Sequence, residues 1–406
     1  MSRKNVLVGQ SGGPTSAINA TLAGVVEQAL ISGKAGKVYG AKHGIKGVLE
    51  DWIIDIGQPL SAPRALIDLI HTPSSALGSC RHKLKRPQDD PQSYKIIFER
   101  LAQYDIGYFV YIGGNDSMDT TNKLSEYAVA HGIDVKIVGA PKTIDNDLHG
   151  MDHSPGFASA ERYIATTFAE IWCDANVYDF PTVTIVETMG RHVGWLCAAS
   201  AVARRMGEAP HLIYLPEIPF DDAKFLEDVR EKMAKHTAVV IAISEGIMRP
   251  DGSYVCEDAS NVKVDAFGHK HMGGACKVLE DIISNNIDCK VRSIELSLLQ
   301  RCAGHLVSPI DLSESKALGA MAMSRALAGG SGEVSVLNRV SDNPYRVEYS
   351  TVPATTIANL EKAVPREWIN ERGNDVTEEL VQYMLPLIGG VFGSDLSSGY
   401  PRHFSF

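Results

Sequence analysis

No stretch of this chain approaches the roughly 18 consecutive apolar residues of a membrane-spanning helix, so a membrane partner is not expected. Cysteine is scarce and scattered: Cys80, Cys173, Cys197, Cys256, Cys276, Cys289 and Cys302 are odd in number and never form CxxC. That pattern argues against a disulfide framework or a thiolate zinc site and favours a reducing cytoplasm. Positive charge is in deficit, 39 Lys and Arg against 49 Asp and Glu, for a formal net charge of −10. Nucleic acid is therefore not the expected partner. A small anionic substrate stays open, because binding follows the local field rather than the total charge. There is no low-complexity tract or short repeat. The opening MSRKNVLVGQ runs from a short basic start straight into a strand pattern rather than a signal peptide.

What is present is a globular composition, 44% hydrophobic and 22% charged. At 406 residues the chain is long enough for two cores, since single cores stop growing at roughly 250–300 residues. Short apolar runs alternate with helical periodicity. Strand patterns stand at NVLVGQ (5–10), KVYGA (37–41), YFVYI (108–112), VKIVGA (135–140), TVTIVE (182–187), HLIYLP (211–216) and AVVIAIS (238–244). Helical patterns follow residue 18 and cover 94–105, 117–130, 158–171, 193–206 and 221–235. This predicts an α/β protein of two Rossmann-like three-layer domains with mostly parallel sheets. The expected division is 1–150 plus about 292–345, then 151–291, with 346–406 as an appended helical extension.

Ligands of such sheets bind at the carboxyl ends of the strands. SGG, GGNDS, PKTIDND, ETMGR and SEG all fall there. In SGGPTS (11–16), Gly12 and Gly13 would let the backbone approach a phosphate at a helix N-terminus; a tight turn capped by Thr15 or Ser16 is an equal alternative. In GGNDS (113–117), Asn115 and Asp116 offer oxygens to Mg²⁺, or the motif merely caps a helix through Ser117. PKTIDND (141–147) surrounds Asp145 with Thr143, Asn146 and Asp147 and adds the point charge of Lys142. Together these suit phosphoryl transfer, in which the protein supplies positioning, charge neutralisation and a base. The bland alternative is an Asx-turn with an incidental lysine. Arg191 in ETMGR could fork onto a phosphate. The basic loop LGSCRHKLKR (77–86) could face a donor or be a solvated surface. Arg292 and Arg301, in VRSIELSLLQR, are a weak signal by themselves.

In their order and spacing SGGPTSAIN, GGNDS, PKTIDNDL, ETMGR, SEG and QR resemble the phosphofructokinase family over roughly residues 5–310. The resemblance implies two α/β domains with the active site in the cleft between them. ATP-dependent members carry GGDGS and GTIDND. Asp116 and Lys142 stand here where those have glycine, as in the pyrophosphate-dependent branch. A carboxylate at Asp116 would repel a nucleotide's α-phosphate, and Lys142 would neutralise pyrophosphate. The implied reaction is reversible, Mg²⁺-dependent phosphoryl transfer from pyrophosphate to fructose 6-phosphate. The implied catalytic group is Asp145 as base, with Lys142, Asp116, Thr143 and Asp147. Gly12, Gly13, Arg81, Gly114 and Ser117 would bind the donor, and Asn115 and Asp116 the metal. Thr143, Ile144, Asp145, Met189, Gly190, Arg191, Glu245, Arg292 and Arg301 would bind the sugar phosphate. Arg292 would reach across a subunit boundary of a homodimer or homotetramer. Asn115 replaces the family's aspartate, and Leu298 and Thr182 replace a histidine and an arginine of the sugar-phosphate site. An ATP-dependent phosphofructokinase, a lipid or NAD kinase and a non-catalytic sugar-phosphate sensor are the alternatives.

Overall fold

The computed structural model describes residues 3–258 and 274–389. The chain divides into two compact units, one built from residues up to 159 with 301–361, the other from 160–300 with 362–388. No described helix is long and apolar enough to cross a membrane.

The first unit begins with β1 (Asn5–Gln10), α1 (Ile18–Ser32), β2 (Val38–Ala41), β3 (Ile53–Asp55), α2 (Pro91–Gln103), β4 (Ile106–Gly113), α3 (Asn115–Ala130) and β5 (Lys136–Pro141). The second unit then supplies β6 (Thr182–Thr188), β7 (Leu212–Tyr214), α4 (Asp222–Met233), β8 (Ala238–Ser244), α5 (Ala275–Asn286) and β9 (Lys290–Glu295). The chain returns to the first with α6 (Pro309–Leu327), β10 (Glu333–Asp342) and β11 (Tyr345–Pro353).

Among the described residues the first sheet has the order β11-β10-β5-β4-β1-β2-β3. Its centre is parallel, and only the edge pairs β2–β3 and β10–β11 are antiparallel. Alternate residues of the central strands point to opposite faces, so each face needs its own cover. Val6, Val8, Val110, Ile112, Val138 and Ala140 pack with α1 and α6 on one side. Leu7, Phe109, Tyr111 and Ile137 pack with α2 and α3 on the other. The result is the expected three-layer arrangement. The helices α1 and α6 touch backbone to backbone: a Cβ on Gly24 would lie 2.0 Å from the Lys316 carbonyl oxygen, and one on Gly319 2.0 Å from that of Thr21.

The second sheet, β7-β8-β6-β9, is wholly parallel. Val183, Ile185, Val239, Ile241 and Ile243 meet Phe225 and Val229 of α4 and Leu279 and Ile283 of α5.

The division of the chain differs from the expected one in two places. The strand β9 pairs with β6, which carries the chain in the second unit to residue 300 rather than 291. The stretch from 346 is not an appended helical piece. It opens as the edge strand β11, then 362–388 joins the second unit with a short helix, Glu378–Met384. A strand of ragged polarity at a sheet edge (the burial of β11 alternates between half-buried and exposed) gives a weak periodic signal. Residues 390–406 of that expected piece lie outside the described residues.

Candidate active site

In the first unit β1, β4 and β5 lie side by side and parallel, so their carboxyl ends deliver three loops to one rim. Gln10 pairs with Ile112 and Gly113 with Pro141. The ladder continues past the strands, with Ser11 N–H donating to Ile112 O and Lys142 N–H to Gly113 O, each at 2.9 Å. Gly12 takes a φ of 77°, which favours glycine, and a Cβ there would sit 3.0 Å from Lys142 Nζ. Thr15 Oγ1 accepts from Ile18 N–H at 2.9 Å, so Thr15 rather than Ser16 steadies the start of α1.

Lys142 is only 2% exposed, and its Nζ donates to the Gly13 carbonyl at 2.5 Å. A cation removed from water resists its charge. Burial lowers the Lys142 ammonium to about 8, while Asp145 and Asp147 oppose that shift and Arg301 and Arg81 add to it. Asp145 moves the other way, raised to about 7 chiefly by burial and then by Asp147, with Lys142, Thr143 and Arg301 opposing. Lys142, Asp145, Asp147, Arg301 and Arg81 thus form one electrostatic group. Arg301 belongs to this unit: a Cβ on Gly13 would lie 3.6 Å from its guanidinium.

The loop holding Asp145 is braced by its own return limb. Thr143 N–H donates to Pro155 O at 3.1 Å, and Asp145 N–H to Thr143 Oγ1 at 3.1 Å. Asn146, at a φ of 54°, is buried and accepts Ser154 N–H at 3.0 Å, so it shapes the turn. Ile144 between them is buried. Asp311, at the start of α6, accepts Gly156 N–H at 2.8 Å and Ser159 N–H at 3.1 Å. His153 is held between Asp152 and Glu314, 2.7 Å from each.

In the GGNDS segment the alternative of a helix cap through Ser117 does not hold. Gly114 is the N-cap of α3, and Ser117 lies inside the first turn, its N–H donating to Gly114 O at 2.9 Å. Ser117 is buried against Gly113, where an added Cβ would come within 2.1 Å of its hydroxyl. Ser117 therefore explains a glycine instead of capping a helix. Asp116 is exposed in the first turn and pairs with Lys83 of the basic loop at 3.1 Å. Asn115 is engaged by its own amide: its Nδ2 donates to Leu360 O at 2.7 Å, and its Oδ1 accepts Asn359 N–H.

In the second unit, β6 ends at Met189, Gly190 and Arg191. Glu245 N–H donates to Thr188 O at 2.9 Å. Its carboxylate accepts Gly190 N–H at 3.4 Å, bringing SEG beside ETMGR. Gly190 has a φ of 136°, and a Cβ on Gly246 would fall 2.0 Å from Arg191 O, so both glycines are required for this close approach. Met189 N–H donates to Gln300 Oε1 at 3.2 Å. The Nε of Arg191 is buried and meets no hydrogen-bond partner among the described residues, which suits a guanidinium awaiting an anion. Arg292, on β9, lies over the Tyr178 ring at 5.7 Å and 3.5 Å from Asp174.

Residues the sequence did not single out support this unit's loop. Glu217 accepts Gly194 N–H at 2.9 Å and Val364 N–H at 3.0 Å, and Trp195 Nε1 donates to Lys362 O at 2.8 Å. The returning segment from 362 thereby fastens the loop that follows Arg191. A Glu and a Trp in ordinary polar surroundings carry no motif that would have revealed this.

A hard cation such as Mg²⁺ prefers carboxylate and phosphate oxygens. The exposed carboxylate of Asp116 at the rim fits that preference. Asn115 fits less well, because its carbonyl oxygen already accepts Asn359 N–H. One histidine-carboxylate grouping with metal-like spacing, Glu208–His211–His236, occurs among the described residues. There His211 Nδ1 accepts Val240 N–H at 3.0 Å, which keeps the neutral ring's proton on Nε2 and leaves no lone pair for a metal.

The chain is similar to known proteins along its whole length. The family described as Phosphofructokinase matches residues 5–326. A pyrophosphate–fructose 6-phosphate 1-phosphotransferase of Xanthomonas campestris is 40% identical over 100% of this chain and 96% of its own. One from Halomonas elongata is 38% identical over 99% of this chain and 96% of its own. The crystal structure of a pyrophosphate-dependent phosphofructokinase from Marinobacter aquaeolei superposes with a TM-score of 0.88 at 35% identity, covering 98% of this chain and 95% of that one. The chain belongs to the phosphofructokinase family.

Proposed function

We infer that this protein transfers a phosphoryl group reversibly between pyrophosphate and the 1-hydroxyl of fructose 6-phosphate, giving fructose 1,6-bisphosphate and phosphate. The observation that carries this reading is Lys142, buried between the glycine loop and Asp145. A buried ammonium of lowered pKa is unfavourable alone and is stabilised when an anion of high charge density arrives. Pyrophosphate is such an anion. The reading also rests on the relatives' activity, whose matches extend over the whole chain.

The first unit supplies donor site and base. Gly12, Gly13 and the amides at the head of α3 cradle the donor oxygens, while Lys142 and Arg81 neutralise charge. Asp145 takes the proton from the 1-hydroxyl as that oxygen bonds to the nearer phosphorus. The bridging P–O bond breaks, and its electron pair leaves with the departing phosphate. Asp147, Thr143 and the Asn146–Ser154 contact hold the carboxylate in place. Arg301 steadies Asp145 and reaches toward the sugar phosphate. Mg²⁺, when bound through Asp116 with donor oxygens and water, would screen charge on the phosphates. The second unit supplies Met189, Gly190, Arg191, Glu245 and Arg292 to the sugar phosphate. Thr182 and Leu298 leave fewer cations than an arginine and a histidine would, so a longer sugar phosphate such as sedoheptulose 7-phosphate is a second acceptor to test. The protein acts as a homodimer or homotetramer in the cytoplasm.

Reversal tests the reading. Incubated with fructose 1,6-bisphosphate, phosphate and Mg²⁺, the enzyme is expected to produce the pyrophosphate signal in ³¹P NMR. Absence of that signal from active enzyme would oppose it.

A further inference from the structure

The segment 354–361 runs along the donor rim of the first unit, tied to it at several points. Glu361 forms an antiparallel bridge with Leu148, just beyond the Asp145 loop. Thr356 O lies 3.3 Å from His149 Nδ1. Asn359 takes a left-handed backbone (φ 63°), and its side chain donates to Asp119 at 3.3 Å. The two bonds made by Asn115 to Asn359 and Leu360 complete the attachment. An amide carries both a donor and an acceptor, so Asn115 satisfies a carbonyl and an N–H of this strap together. An aspartate there would turn a carboxylate oxygen toward the Leu360 carbonyl.

Next to this strap lies a cavity of about 830 Å³, lined by Lys83, Arg86, Lys123, Tyr127, His131 and Asn359 among others. The partners of Asn115 and Asp116 are both in its wall: Asn359 holds Asn115, and Lys83 pairs with Asp116. A third phosphoryl group extending from the donor rim toward Lys83 and Arg86 would have to displace this wall.

We propose that Asn115 is a specificity-determining residue that clamps the strap 354–361, and that this clamp limits the donor to two phosphoryl groups. Asn115 thus serves donor length and is not a metal ligand. The inference rests on the pyrophosphate reading above.

The test compares the full-length wild type with Asn115→Asp, Asn115→Ala and Asn359→Gly, using pyrophosphate and inorganic tripolyphosphate as donors across a Mg²⁺ titration. The wild type is expected to use pyrophosphate and reject tripolyphosphate; failure with pyrophosphate would overturn the underlying reading, whatever the variants do. Loss of one hydrogen-bonded tie is expected to raise the tripolyphosphate-to-pyrophosphate ratio of kcat/KM by about tenfold in Asn115→Asp. Asn115→Ala and Asn359→Gly should shift it the same way, so that misfolding of one variant leaves the others to decide. An unchanged ratio in the folded variants would overturn the clamp. So would a Mg²⁺ requirement raised in Asn115→Ala and lowered in Asn115→Asp at constant donor ratio, which would make Asn115 a metal ligand.

Discussion

At the residue scale, buried Lys142 and half-buried Asp145 are displaced in opposite directions, and the proposed chemistry rests on them. Burial raises Asp145 to about 7 and lowers Lys142 to about 8. A base must be deprotonated, so kcat/KM should rise with pH through the first limb. A charge-neutralising lysine must be protonated, so it should fall through the second. The two limbs belong to the coupled group rather than to either residue alone. Because Lys142 opposes the upward shift of Asp145, Lys142→Met should move the acid limb to higher pH as well as weaken pyrophosphate use. A pH–rate profile checks this, and an acid limb unmoved in the variant would show that the two do not communicate. Asp145→Asn keeps the shape and removes the base; kcat is expected to fall by roughly 10²–10⁴ with KM changed little. Stopped-assay kinetics on the folded variant read that split directly. The sequence made Asp145 and Lys142 legible because each stands in a motif with required neighbours. Asn115 was visible as a candidate oxygen ligand but its ties to the strap were not, since its partners Asn359 and Leu360 lie far along the chain.

At the scale of elements, the parallel strands place the loops and the helices hold the strands. The central runs, such as β1 and β4, were legible because strands covered on both faces read as continuous apolar stretches. The edge hairpin β10–β11 was not, because its solvent-facing residues break that signal. Nor was the contact of α1 with α6, made through glycines whose partners are remote in sequence. Gly319→Ala would place a Cβ 2.0 Å from the Thr21 carbonyl oxygen. Forcing these helices apart should destabilise the protein by roughly 1–3 kcal/mol. Urea unfolding measures it, and a midpoint equal to wild type would mean that the helices part at no cost.

At the scale of the molecule, the chain interleaves its two units, leaving the first near residue 160 and re-entering at 301, then crossing again at 362. Composition shifts alone do not mark such crossings, which explains the displaced sequence boundaries. The second unit also exposes Val177 (68%), Tyr178 (39%) and Phe180 (39%), with Lys290 and Arg292 over the aromatic rings. An apolar patch rimmed by cations suits a second copy of the chain. Sedimentation should therefore give a dimer or larger assembly that Phe180→Glu weakens. A wild-type monomer at micromolar concentration would contradict it.

Donor choice is the most direct test of the chemistry assigned to Lys142 and Asp116. Fructose 1,6-bisphosphate formation from fructose 6-phosphate and Mg²⁺, coupled to aldolase, should be measured with pyrophosphate and ATP side by side. Turnover with pyrophosphate and little or none with ATP is the expected result. Turnover with ATP that equals or exceeds turnover with pyrophosphate would contradict the donor assignment.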